Sequence, residues 1–459
     1  MVTLLSSASD ILWNPWLLLL FLLTGLVYSF GSGFFQIFGC RLWWKTTLGS
    51  LFHKQPTTTH GLSPLQALAT ALASTMGTGS IAGVATALTL GGPGAIFWMW
   101  ISAFLGMMTG FGEKLLSVQY QHLRPDGTLE GGPMFYLRDG VGCPLLATCF
   151  SLACLPATLA GGNLVQSSSI ATSLEGSLGL PRLAVGVVIA ILAGLVMVGG
   201  IGRIARASAA LVPAMAVLYL GGGLYVLACN AAAIPSALGM ILSCALSPSA
   251  PVGGGVGWTV WAAVRYGVAR GVFTNEAGLG TSAMAHGAAQ VDHPARQGMW
   301  GIFEVFLSTF VVCTITALVI LVSGVWSPAH PNPLTGAPLT AAAFSSALGW
   351  AGEGIVAISL LLFAFSSILG WSYYGQQCLT YLTHSTRLLP LYRCVFLLCT
   401  VLGAVWSPEA IWQLVDLCNA IMSLPNLAAL LVLAPEALSL LYQWWRRPHP
   451  AVGTSDGIP

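Results

Sequence analysis

The sequence predicts an all-α polytopic membrane protein of about eleven spans, ten of them forming two inverted five-helix repeats. Three observations lead there. The 459-residue chain is 56% hydrophobic and only 7% charged. Its mean hydropathy is +0.82, which excludes an ordinary soluble domain. That length holds about ten or eleven helices of roughly 20–25 residues. Finally, two apolar segments five spans apart are interrupted at mid-depth by glycines and polar residues. Matching breaks in two halves are the sequence sign of inverted repeats around a midplane site.

Residues 1–10 read as a short polar tail, and 11–38 as a first apolar span. That span lacks a basic n-region and an A-x-A site, so it is expected to be retained and not cleaved as a signal peptide. Residues 39–61 form a loop with Arg41, Lys45 and Lys54. A broken helix follows at about 62–90, then spans near 94–120, 144–172, 183–200 and 205–229. Residues 230–257, with Pro235, Pro248 and Pro251, read as an outer loop carrying an interfacial helix. The second broken helix covers about 258–288, and the last four spans lie near 299–324, 354–383, 390–406 and 410–434. Residues 325–352 read as a Pro-rich loop. The expected units are therefore 1–61, 62–229, 230–257, 258–442 and a tail at 443–459.

Orientation follows from Lys and Arg. With the first loop inside, 13 of the 16 basic residues fall on the cytoplasmic side. Arg182 falls outside, and Arg265 and Arg270 lie within a span. The N-terminus is expected outside and the C-terminus in the cytoplasm of a cell (inner or plasma) membrane.

The first break reads Ser74-Thr75-Met76-Gly77-Thr78-Gly79-Ser80. Each glycine costs a helix about 1 kcal/mol relative to alanine. Each unpaired backbone group in hydrocarbon costs several kcal/mol. Such a stretch persists only where it is buried in protein or lines a polar cavity. The second break centres on Thr274-Asn275-Glu276, flanked by Gly271, Gly278 and Gly280. Close packing alone would explain the glycines, but an ionisable group at depth costs about 2.5 kcal/mol or more. Half-helix N-termini favour a carboxylate, and half-helix C-termini favour an ammonium group or cation. The pair of breaks suits a small zwitterion plus an ion.

Several function classes are excluded. No P-loop signature occurs, so a gradient and not ATP would drive transport. The 11 cysteines form no C-x-x-C pair and read as small apolar residues. The net charge of +2 points to no nucleic-acid partner, since the basic residues flank membrane segments. A membrane enzyme lacks H-E-x-x-H, G-x-S-x-G and a mid-span histidine, so no enzymatic activity and no cofactor are expected.

The run TALASTMGTGSIAGVATALTLGGPGAIFWMWISAFLGM, the loop EGGPMFYL, the run YGVARGVFTNEAGLGTSAMAH and the later FSSILGWSYYG resemble the alanine or glycine:cation symporter family. The resemblance covers nearly the whole chain. It implies the leucine-transporter-type 5+5 inverted repeat with one extra N-terminal helix. It also implies co-transport of a small neutral amino acid (alanine or glycine, with D-alanine a candidate) with sodium. The alternatives are proton coupling or an uncoupled facilitator; a facilitator would not need the serine pair described next.

By that resemblance the substrate carboxylate lies near the backbone of Thr78 and Gly79, with Ser74 and Thr75 facing the same pocket. The carbonyls around Phe273 and Thr274 meet the amine, and Gly278 gives it room. Gln166 is similar to a family glutamine facing the substrate; the plainer reading is an interhelical hydrogen bond. Trp371 caps the pocket, or simply packs. Ser366 and Ser367 match a paired hydroxyl position on the eighth core helix. With the carbonyls of Ala73, Met76 and Phe363 they imply an all-oxygen sodium cage. The plainer reading is serines bonded back to their own helix. The family motif GTGN reads Gly77-Thr78-Gly79-Ser80 here, which argues for a single sodium.

Other groups receive plainer readings. Glu113 and Lys114 read as a solvated helix end near the inner membrane edge. His286, Asp292 and His293 read as a cytoplasmic helix end and not a metal site. Arg265 and Arg270 are expected to pair with Glu276, Glu304 or Asp416. Gly79/Gly83 and Gly106/Gly110 read as packing notches.

Overall fold

The computed structural model describes residues 12–13, 15–52, 61–125, 127–246, 259–327, 334–406 and 408–446. The tail at 1–10, Lys54, Pro248, Pro251 and Arg447 lie outside the described residues. The protein is all-α apart from one two-residue antiparallel pairing of β1 (His122–Leu123) with β2 (Leu129–Glu130).

The first span is α1 (Pro15–Gly31). The first broken helix is α2 (Pro64–Thr75) and α3 (Ala82–Gly91). A capping box starts α2: Ser63 Oγ accepts the Gln66 N–H at 3.2 Å, and Gln66 Oε1 accepts the Ser63 N–H at 3.0 Å. This satisfies two of the N–H groups that a helix start leaves free. The first half then continues with α4 (Gly94–Gln119), α5 (Pro144–Leu178), α6 (Arg182–Met197) and α7 (Gly200–Cys229). The connecting helix α8 (Ala231–Leu246) packs on the start of α4, where Trp98 Nε1 donates to Ala245 O at 3.0 Å.

The second half opens with its own broken helix, α9 (Val260–Asn275) and α10 (Thr281–His286). Then come α11 (Pro294–Val322), α12 (Gly336–Leu348), α13 (Trp350–Thr383), α14 (Leu389–Val405) and α15 (Pro408–Val432). A final helix, α16 (Ala434–Trp445), ends the described chain. Six of these helices are long and apolar enough to cross a membrane, and α1, α3, α6, α8 and α14 are shorter apolar helices. Every expected span thus has its helix or helix pair. Expected loops are partly helical: 39–61 holds a helix at Cys40–Thr46, the EGGPMFYL loop holds Pro133–Phe135 and a π-helical turn at Tyr136–Gly140, and 325–352 holds α12, whose Thr340 Oγ1 donates to Ile81 O at 3.2 Å.

The packing repeats between halves. The second helices of the halves, α4 and α11, run against each other, as do the fourth helices α6 and α14. The third helix of each half packs on the fifth of the other: α5 on α15, and α13 on α7. Exchange of the halves maps these pairs onto one another, as an inverted repeat requires. Helix α1 lies outside this set, against α4 and α15.

Glycines set the closest crossings. A Cβ on Gly301 would lie 2.5 Å from Gly110 O, and one on Gly267 would lie 2.3 Å from Ala95 O. The notch reading of Gly106/Gly110 fits, since they face Ala277 and Val305. Gly83 is a correction: nothing lies within 4 Å of where its Cβ would be, so it forms no notch.

Gly267→Leu should therefore cost about 1–3 kcal/mol or more through overpacking. Thermal unfolding of the detergent-purified protein should show a lowered midpoint, while Gly83→Ala leaves the midpoint unchanged or slightly raised.

Candidate functional site

The first break occupies the centre of the bundle. Helix α2 ends where Met76 N–H donates to Leu72 O at 2.8 Å. Gly77 is then extended, with φ −98° and ψ −155°, and a single 3₁₀ turn at Thr78–Ser80 leads into α3. The freed backbone groups find partners on other helices. Gln166 Oε1 on α5 accepts the Thr78 N–H at 3.2 Å, and Gln166 Nε2 donates to Gly161 O at 3.0 Å. Gly161 belongs to a π-helical turn at Ala160–Leu164, where the widened ladder leaves carbonyls free for such bonds. Thr316 Oγ1 on α11 donates to Ser80 O at 2.9 Å.

The serine pair on α13 reaches the same place. Ser366 Oγ donates to Ala73 O at 3.0 Å or to its own-helix carbonyl, Phe363 O, at 2.9 Å. Ser367 Oγ donates to Ala73 O at 3.1 Å or Ser74 O at 2.9 Å. The two hydroxyls and three carbonyls form one buried oxygen cluster; the Met76 carbonyl receives neither hydroxyl. A Cβ on Gly77 would lie 2.6 Å from Ser367 Oγ and 3.1 Å from Gln166 Oε1. Gly77 therefore brings the cluster and Gln166 together.

The two breaks face one another. A Cβ on Gly79 would sit 3.0 Å from both Phe273 Cδ1 and Thr274 Oγ1. The Thr274 hydroxyl donates to Arg270 O at 2.7 Å, and that of Thr75 donates to Ala71 O at 3.1 Å. Ser74 turns its hydroxyl to Tyr374 OH, 2.5 Å away. Trp371 packs its ring against Gly162, one turn before Gln166. Thr78 Oγ1 is buried and makes no hydrogen bond among the described residues. Eight of the nine expected substrate residues thus gather around the facing breaks. Gly278 sits apart, against Phe21 of α1 and Leu427 of α15.

The second break is held differently. Glu276, Gly278 and Gly280 take positive φ values of 57°, 94° and 79°. Glu113 Oε1 accepts the Gly278 and Gly280 N–H groups, each at 2.9 Å, and Asn426 Nδ2 at 2.8 Å. Asn426 Nδ2 also donates to Gly278 O at 2.9 Å, and its Oδ1 accepts from Tyr136 OH. Lys114 Nζ lies 3.2 Å from Glu113 Oε2 and 3.5 Å from Glu304 Oε2. His286 Nε2 lies 3.2 Å from Glu304 Oε2.

One expectation is corrected here. Glu113 and Lys114 are wholly buried, because α4 runs through the bundle centre and they pair with each other and with the second break. His286 does end a helix, α10, but it is buried there against Glu304, while Asp292 is exposed and pairs with Arg296. Of the three acids expected for Arg270, Asp416 is the partner, at 3.0 Å. Among the described residues no group of three His, Cys, Asp or Glu side chains is placed to hold a metal ion. Sequence reasoning missed Asn426, Thr316, Thr340 and Tyr374. The signal for Asn426 was a carboxamide in an otherwise apolar run, and for Glu113 an acid within a predicted span.

A core of inverted helix repeats with two facing mid-helix breaks defines a secondary transporter. A profile of the sodium:alanine symporter family matches residues 1–451, and the chain belongs to that family. By family it is a sodium-coupled amino-acid symporter in a multi-pass membrane setting, and not an enzyme. It is 42% identical to the sodium/alanine symporter AgcS of Methanococcus maripaludis, covering 95% of this chain and 96% of that one. It is 33% identical to the amino-acid carrier protein AlsT of Bacillus subtilis, over 95% and 90% of the two chains. Among solved structures it resembles a manganese transporter from Eremococcus coleocola, with TM-score 0.53, 16% identity, and 82% and 78% of the chains covered. That likeness concerns the fold alone.

Removing the Glu113 carboxylate would leave two buried N–H groups without their acceptor and a buried ammonium with only the more distant Glu304. Glu113→Ala should cost about 3–5 kcal/mol and show as a lowered thermal midpoint and aggregation in size-exclusion chromatography. Glu113→Gln keeps an acceptor and should lose less.

Proposed function

We propose that the protein imports a small neutral amino acid, alanine or glycine, together with one sodium ion by alternating access. The observation that carries this reading is the juxtaposition at Gly77: a neutral oxygen cluster on one side and the unwound Thr78–Ser80 turn on the other. Neutral oxygens suit a hard monovalent cation. The ion is held by Ser366, Ser367 and the carbonyls of Ala73, Ser74 and Phe363, whose hydroxyl hydrogens turn away as it enters. The amino acid lies between the breaks. Its carboxylate meets the backbone around Thr78 and Gly79 and the unpaired Thr78 hydroxyl, and its amine meets the carbonyls around Phe273 and Thr274.

Size selection follows from what walls the space. Phe273 and Trp371 are bulky and border this space, beside Gly79 and Gly162, which favours a small side chain. D-Alanine differs only in which wall its methyl meets, so it belongs among the substrates to be assayed. The Arg270–Asp416 pair lies beyond Phe273, with the guanidinium 4.7 Å from the Trp412 ring and that ring 5.1 Å from Phe273. It closes the site on that side. The excess of Lys and Arg on one side supports an outside N-terminus and a cytoplasmic C-terminus even without the buried Lys114.

The ion cluster and the unwound turn share Gly77, so each ligand orders the segment the other needs. Linkage then requires each to raise the other's affinity by the same factor. The test is uptake of labelled alanine and glycine into proteoliposomes under an inward sodium gradient, an inward proton gradient or neither. Accumulation with sodium is expected. Accumulation with protons alone would replace the ion, and equilibration without accumulation would establish a facilitator. Ser367→Ala should raise the sodium concentration for half-maximal uptake at least about tenfold, the loss of roughly 1.4 kcal/mol. Unchanged sodium dependence would remove the serine pair from the ion site.

A further inference from the structure

Beside the second break, three carboxylates share one buried cluster with a single amine and a single imidazole: Glu113, Glu276 and Glu304 with Lys114 and His286. All five are at most 1% exposed. Even with His286 as imidazolium, three negative charges face two positive ones. An uncompensated charge in a membrane interior is costly enough that the group neutralises instead. We propose that Glu276 holds a proton in this conformation, making the second break a proton-binding site separate from the sodium cluster.

The partners distinguish the three acids. Glu113 accepts two backbone N–H groups and the Asn426 amide and faces Lys114 at 3.2 Å. Its lone pairs are taken by donors, as for an ionised carboxylate. Glu304 has Lys114 at 3.5 Å and His286 at 3.2 Å. Glu276 has neither: its recorded partner is the Thr281 hydroxyl, which donates to Oε2 at 2.5 Å. No basic nitrogen lies within ion-pair distance of it among the described residues. The titratable groups facing Glu276 are Glu113 and Lys114 from α4, Glu304 from α11, Tyr374 from α13 and Cys154 from α5. His286 lies on its own broken helix, against Glu304. Lys114 is the one cation in that set and is already shared by the other two acids. The proton is therefore assigned to Glu276, whose left-handed backbone places it at the bend where α9 stops. When the second break becomes wet during the transport cycle, the Glu276 O–H bond gives its proton to water and the carboxylate is stabilised by solvent; re-closure takes the proton back. The functional consequence rests on the symporter reading above, whereas the protonation state does not.

The first test is infrared spectroscopy of the purified protein in light and heavy water at neutral pH. Wild type should show a protonated-carboxyl stretching band that shifts in heavy water, is absent from Glu276→Gln and persists in Glu304→Gln. No such band in wild type overturns the proposal, whatever the fate of the variants. A band lost with Glu304→Gln and kept in Glu276→Gln overturns the assignment. The second test is sodium-driven alanine uptake against pH, each protein normalised to its own maximum. Wild-type uptake should fall as pH rises, because deprotonation leaves an unpaired buried charge in the closed state, and Glu276→Gln should be flat. Equal alkaline decline in both would overturn a role for this proton in transport while leaving the spectroscopic result intact.

Discussion

The structure depends on one constraint: a helix broken inside hydrocarbon must have its freed backbone groups satisfied by the rest of the protein. Here the side chains that bond the freed backbone groups come from elements other than the broken helix itself, Asn275 excepted. Gln166, Thr316, Thr340 and the serine pair hold the first break from α5, α11, α12 and α13. Glu113 and Asn426 hold the second from α4 and α15, while Asn275 Oδ1 accepts the Ala277 N–H at 3.0 Å. The breaks cannot form before the bundle does. Conversely, a shift of any of these helices changes the backbone that binds cargo, which is what alternating access requires of a central site.

The partners differ in kind, and the difference assigns roles. Hydroxyls and one carboxamide, all neutral, hold the first break. A neutral side chain can surrender an N–H group to a carboxylate that binds it more strongly. At the second break a full carboxylate already occupies the Gly278 and Gly280 N–H groups. On the proposed reading, an incoming carboxylate is repelled there and directed to the first break. Two breaks related by the repeat thus offer opposite ends of a zwitterion different reception. The extra helix α1 and the residue pair before it add to this hold: Phe21 of α1 backs Gly278, and Trp13 Nε1, just ahead of α1, donates to Asp416 O at 2.8 Å.

Much of this was legible in the chain. The spans were, because each is a long apolar run; so were the breaks, because glycines and hydroxyls interrupt such runs at great cost. The polar wiring was not. Glu113 lies toward one end of its predicted segment, and at an end an acid beside a lysine is ordinarily solvated; only the central position of α4 buries it. Gly278 looked like a pocket residue because it stands in the break, but its positive φ serves the turn and its face meets Phe21 and Leu427. Helix α12 is hidden within a stretch whose first half carries Pro328, Pro331, Pro333 and Pro338. Thr316 and Thr340 carried no signal, since membrane threonines commonly bond back to their own helix, and which of them turn outward is decided by packing.

The central claim is that the ion cluster and the amino-acid pocket are one coupled unit joined at Gly77. The most direct measurement is equilibrium binding of labelled alanine to the purified protein across a series of sodium concentrations, paired with sodium binding across a series of alanine concentrations. The account predicts that the alanine Kd falls as sodium rises, and that alanine strengthens sodium binding by the same factor. An alanine Kd indifferent to sodium would contradict it.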